Sequence, residues 1–88
     1  MNHDDFYVGM EFHSDDRIYR CTDVGTRVIV AIRVDQVTKV TSGNGVERRD
    51  ILNRDQAEAE GWFRGPPYPV AEIVFDEDDL EGCEPISA

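Results

Sequence analysis

The stretch "RVIVAIRV", residues 27 to 34, constrains the fold more than any other in the chain. Val28, Val30, Ile32 and Val34 fall on one side of an extended backbone, and Arg27, Ile29, Ala31 and Arg33 fall on the other. A period of two with this density of β-branched residues signals a strand, and a strand satisfies its backbone groups only beside other strands. The second face, Ile29 and Ala31 between two arginines, is expected to be partly covered. Before it, "RIYRCTDV" reads as a partner strand. The link Asp23 to Thr26 places Gly25 where a tight hairpin calls for a positive backbone angle. A phosphate-cradling loop would need several glycines followed by a helix, and a strand follows here.

Further on, "QVTKVT" and "VERRDIL" flank "SGNG", an Asn-Gly turn that predicts a second hairpin. "NRDQAEAEG" offers Asn53 as a helix cap with Gln56 three residues on, and Gly61 as the stop, predicting one short helix. "GWFRGPPYPV" interrupts regular structure. "VAEIVF", residues 70 to 75, fits strand or helix. Asp76, Glu77, Asp78, Asp79 and Glu81 would crowd the negative end of a helix running through it, which favours the strand. The expectation is a mainly β single domain over residues 1–88, a small antiparallel SH3-like barrel or rolled sheet with one short helix and a flexible tail from about residue 81.

Eighty-eight residues hold one core and leave little room for an enclosed cavity, so a shallow surface site is expected. No apolar run approaches the roughly 20 residues of a membrane span, and the start is acidic where a secretory signal would be basic and then apolar. A cytoplasmic location without membrane contact follows as an expectation. The net charge is −10, and it is segregated. Residues 1 to 16 carry five acids and no Lys or Arg; residues 17 to 54 carry eight basic side chains against four acids; residues 55 to 88 carry ten acids against Arg64 alone. Such a field disfavours nucleic acid, and an electrostatic partner should be basic. The basic middle is expected to pair within the molecule rather than meet DNA through Arg27 and Arg33.

At "YRCTDVGTRVIVAI" and "GPPYPVAEIVFDEDDLEGC", residues 19 to 32 and 65 to 83, the chain resembles a group of short bacterial proteins of plasmids and integrative mobile elements. The resemblance implies a cytoplasmic protein of a bacterial or phage-related element. It carries no catalytic residue over to this chain, and residues 33 to 64 lie outside it.

Candidate chemistry is sparse. "HSDD", residues 13 to 16, lacks a nucleophile elbow around Ser14 and reads as a polar turn. Asp76 and Asp78 open a calcium-loop spacing, but Leu80 stands where the third ligand belongs and no glutamate closes the loop. Cys21, Cys83, His3 and His13 lack paired zinc spacing, and both cysteines are expected as thiols. No catalytic residue, metal or cofactor is assigned, and the chain is expected to bind rather than catalyse. The favoured site is an aromatic and proline patch, Trp62, Phe63, Pro66 and Tyr68, for a protein partner, with Tyr7, Phe12 and Tyr19 as further rings. Pro66 and Pro69 form a PxxP spacing. The alternative is an acidic surface, Glu72, Asp76, Asp78, Asp79 and Glu81 together with Glu84, that imitates nucleic acid and inhibits a DNA- or RNA-binding defence protein.

Overall fold

The computed structural model describes residues 1–86. A 3-10 turn at His3–Asp5 leads into β1 (Glu11–Ser14), β2 (Arg17–Val24), β3 (Ile29–Arg33), β4 (Gln36–Gly43), β5 (Val46–Asn53), α1 (Arg54–Ala59), β6 (Ile73–Phe75), α2 (Glu77–Glu81) and β7 (Cys83–Pro85). Five strands form one sheet in the order β6-β3-β2-β1-β7, and β4 and β5 form a separate two-stranded ribbon. Every pairing is antiparallel. The mainly β antiparallel expectation therefore holds. Among the described residues no pair joins β6 to β7, so the sheet order is open.

Turn chemistry sets the hairpins. Asp15 and Asp16 form the two-residue link between β1 and β2, with Asp15 at φ 55°, so "HSDD" is a strand end and a turn. Asn44 and Gly45 both take positive φ, 51° and 76°, as a type I′ turn requires. The link between β2 and β3 works differently. Positive φ falls at Gly9, Gly45 and Gly61 among the glycines and not at Gly25, which corrects the reason assigned to it. What Gly25 supplies is room. A Cβ there would stand 3.2 Å from Val28 Cγ2, and its N–H donates to the Val28 carbonyl at 2.8 Å.

The five-stranded sheet is covered on both faces. On one, Phe12, Tyr19, Cys21, Ile29, Ala31 and Phe75 pack with Phe6, Leu80 and Cys83. Phe12 is fully buried and sits edge-on to Phe6 and Phe75 at 5.1 and 5.5 Å, stacked on Tyr19 at 5.8 Å. On the other, Ile32 and Val34 pack with Val37, Ala57 and Phe63. Ile29 and Ala31 are thus fully buried in the larger cluster, not half covered. Beyond its base the ribbon is exposed on both sides, with Val40, Val46 and Ile51 open to solvent.

Three local expectations change. Asn53 caps α1 reciprocally with Gln56 as read from the sequence, but a second helix, α2, follows β6. Its acids occupy the first turn, where the helix dipole favours them, and Leu80 anchors it in the core. Only Ile73–Phe75 of "VAEIVF" is strand. The expected flexible tail is not uniform, since Cys83–Pro85 pairs with β1; residues 87 and 88 lie outside the described residues.

Candidate partner-binding surface

Gly61 ends α1 at φ 83°, and the Trp62 N–H donates to the Ala57 carbonyl at 3.0 Å, which turns the chain back along the helix. Phe63 then points into the smaller core cluster and is buried. Trp62 and Tyr68 are half-buried against the same cluster, and Pro66 is exposed. Of the aromatic set, the surface share falls to Trp62, Pro66 and Tyr68. Phe12 and Tyr19 are core, and Tyr7 is exposed elsewhere. The backbone at Gly65 runs directly under the Tyr68 ring, where a Cβ would come within 2.6 Å of ring carbons. Only glycine fits there.

Beside Trp62 lies an open groove of about 280 Å³, lined by Val37 and Thr38 at the ribbon base, by Pro69, Val70 and Ala71, and by Ile73. Its far rim is β6, an edge strand of the sheet. Ile73 is 39% exposed and Val74 58%. Trp62 and Ile73, eleven residues apart in sequence, thus line one groove, whose wall also carries Arg33 and Gln36. The signal in the sequence was "IVF" beside a proline-rich turn. What it lacked was any sign that β6 would be an edge.

The acidic set is divided in use. Asp76 is the N-cap of α2, and its carboxylate accepts from the Asp79 N–H at 3.0 Å while the Asp79 carboxylate accepts from the Asp76 N–H at 3.1 Å. Glu72 accepts from the Thr22 hydroxyl at 3.2 Å. Glu77 pairs with Arg27 at 2.9 Å, and this pair holds each group more strongly in its charged form. Asp78, Glu81 and Glu84 are exposed. The Asp-x-x-Asp spacing before Leu80 was the available signal for the cap.

One ion-pair network fixes α1 on the sheet. Glu11 accepts two parallel bonds from Arg54 at 2.7 Å each and further bonds from Arg20 at 3.1 and 3.3 Å. Arg54 first, then Arg20, hold the Glu11 carboxyl below its ordinary range against the opposing effect of burial. Since Arg54 opens α1 and Trp62 follows its end, this joint also positions the groove. Arg33 holds Asp35 low in the same way, at 2.6 Å.

The thiols lie apart. Cys83 faces Ser14 across β1, while the Cys21 N–H bonds the Met10 carbonyl, four residues earlier on the same strand path. Four residues of strand rise and two strand spacings separate them by roughly 16 Å, well beyond the roughly 7 Å limit for a disulfide. Burial raises both thiols above their ordinary value. The His3 imidazole reaches the Val28 carbonyl at 3.3 Å, and His13 stands opposite Glu84 in the β1–β7 pairing.

No family model, curated protein or solved structure matches the chain. No helix among the described residues is long and apolar enough to cross a membrane.

Proposed function

We propose that this chain is a small acidic accessory protein that works by binding another protein through the β6 edge and the groove beside Trp62. The observation that carries the reading is the open edge of β6, where Ile73 lines the groove beside the half-buried Trp62 and Val74, next along the strand, is exposed on the opposite face. An unpaired strand offers main-chain donors and acceptors to an incoming strand, and a neighbouring apolar groove takes side chains. The other edge, β7, is blunted by Pro85. We extend the proposal, on the resemblance to proteins of plasmids and integrative elements, to a role in a bacterial mobile element, in the cytoplasm. The SH3-like barrel or rolled sheet belongs to the same proposal, supported by short antiparallel strands gathered around the Phe12 cluster.

The acidic-mimic alternative draws on the ion-pair ledger. Among the described residues, seven of the nine basic side chains sit in ion pairs and only the exposed Arg17 and Arg64 do not, so with nineteen acids in the chain the surplus charge is negative. Both readings call for a basic partner. They differ in where contact is made.

A photo-crosslinking residue in place of Ile73, and separately in place of Asp78 and of Val46 on the ribbon, tests the site in lysate of the native host. The proposal expects one discrete adduct from position 73, lost when Trp62→Ala is added. Adducts from position 78 alone would favour the acidic reading. Adducts from position 46 alone would refute both.

A further inference from the structure

We infer that the occupant of the β6 edge is an extended segment carrying a β-branched residue flanked, two positions away on each side, by Lys or Arg. The inference rests on the proposed binding surface and adds its chemistry. β6 runs Ile73–Phe75, with Glu72 immediately before it and Asp76 immediately after. In an extended chain, residues two apart share a face, so Glu72, Val74 and Asp76 form one row: acid, apolar, acid. Both carboxylates accept from nearby groups, Glu72 from Thr22 and Asp76 from the Asp79 N–H, and neither is in an ion pair among the described residues.

Edge strands usually carry a lysine, a proline or a bulge that prevents pairing with copies of themselves. β6 has none of these, yet its flanking acids do the same work selectively. An antiparallel pair of β6 edges centred on Val74 sets Glu72 against the other copy's Asp76 twice. A parallel pair sets each acid beside its own copy. Like charges directly opposite destabilise either arrangement. The same row attracts a strand with basic residues opposite Glu72 and Asp76 and an apolar residue opposite Val74. The edge thus rejects a second copy of this chain and selects a basic strand. The chain's net charge of −10 adds steering in the same direction.

Three short capped peptides in otherwise identical Gly-Ser frames test this: Lys-Thr-Val-Thr-Lys, its isomer Thr-Lys-Val-Lys-Thr, and Glu-Thr-Val-Thr-Glu. The two lysine peptides have equal composition and charge but place the cations on opposite faces of an extended strand. Each is titrated into the isotope-labelled protein at low ionic strength, and backbone amide shifts are followed. The expected result is shifts at Ile73–Phe75 with Lys-Thr-Val-Thr-Lys, binding about threefold or more tighter than its isomer, and no binding by the glutamate peptide. Glu72→Lys should cancel the preference while leaving the remaining spectrum unchanged. Equal binding by all three at β6 would overturn the inferred chemistry and leave the surface standing. Shifts confined to other elements, or none with any peptide, would overturn both.

Discussion

Replacing Glu11 by Gln keeps the shape of the side chain and removes the charge that Arg20 and Arg54 share. Arg54 grips both carboxylate oxygens at 2.7 Å, and Arg20 adds a second guanidinium at 3.1 Å. Side-chain exposures are 24% for Glu11, 26% for Arg20 and 36% for Arg54, between a surface pair and a buried one. Hydrogen bonds to charged groups contribute about 1.5–3 kcal/mol, and exposed ion pairs about 0.2–1 kcal/mol. With Arg54 discounted for its exposure, Glu11→Gln should cost about 2 kcal/mol, part of it from leaving two guanidinium groups facing each other. At this chain length that lowers Tm by about 10 °C. A double-mutant cycle with Arg54→Met should return a coupling of about 1 kcal/mol from urea unfolding at neutral pH. The folded-state pKa of Glu11 is lowered, so its stabilisation is complete above the unfolded value and disappears as pH falls through the folded one. The coupling should therefore vanish in strong acid. A coupling below about 0.3 kcal/mol at neutral pH, or one unchanged in acid, would refute the account of how α1 is held.

Phe63→Ala should cost about 3–5 kcal/mol because it opens a cavity among Ile32, Val34 and Val37, while Trp62→Ala, only half-buried, should cost less than half as much and leave a folded protein; thermal unfolding of the two variants decides the order. Gly65→Ala should destabilise by about 1–3 kcal/mol, since its Cβ collides with the Tyr68 ring, and Gly65→Ala combined with Tyr68→Ala should recover part of the loss. Oxidation of the folded protein should leave both Cys21 and Cys83 unpaired, with thiol-reagent labelling slow until denaturant is added; a disulfide found by mass spectrometry of the native protein would contradict the sheet register.

Local chemistry made much of this fold legible in the sequence. The Asn44-Gly45 hairpin and the Asn53 cap were read from residue types whose backbone preferences are strong, and both stand as read. The two sides of β3 were harder. The flanking arginines suggested a face only partly covered, yet the Arg33 guanidinium bonds Asp35 while Ala31 and Ile29 on the same face are fully buried. An arginine at the end of a strand says little about the face it shares. The acids after Phe75 were weighed only as the end of a longer helix. They begin a new one instead, and the same dipole argument that counted against them then counts for them. For the surface, composition pointed to Trp62 and Tyr68 but could not separate them from Phe63, because burial depends on which way the chain turns after Gly61. That Trp62 shares a groove with Ile73 is a tertiary fact with no local signal.

The charge segregation along the chain has a physical explanation in the sheet order. Four ion pairs each join the basic middle to an acidic flank: Glu11 with Arg20 and Arg54, Glu77 with Arg27, Glu60 with Lys39. Blocks separated in sequence are thus interleaved in space, and unlike charges meet where β1 lies against β2 and where α2 meets the turn before β3. The acids left over dominate the field at longer range. These two effects respond oppositely to salt. At about 10 mM salt the Debye length is about 30 Å, comparable with the 27 Å middle dimension of the molecule, and at physiological salt it is about 8 Å. Raising salt over that range removes the long-range repulsion among the surplus acids but barely touches contacts at 2.7 Å. The urea midpoint should therefore rise, while affinity for a basic strand at β6 falls. A midpoint that falls together with affinity would mean that the ion pairs, and not the surplus acids, govern the electrostatics of the whole chain.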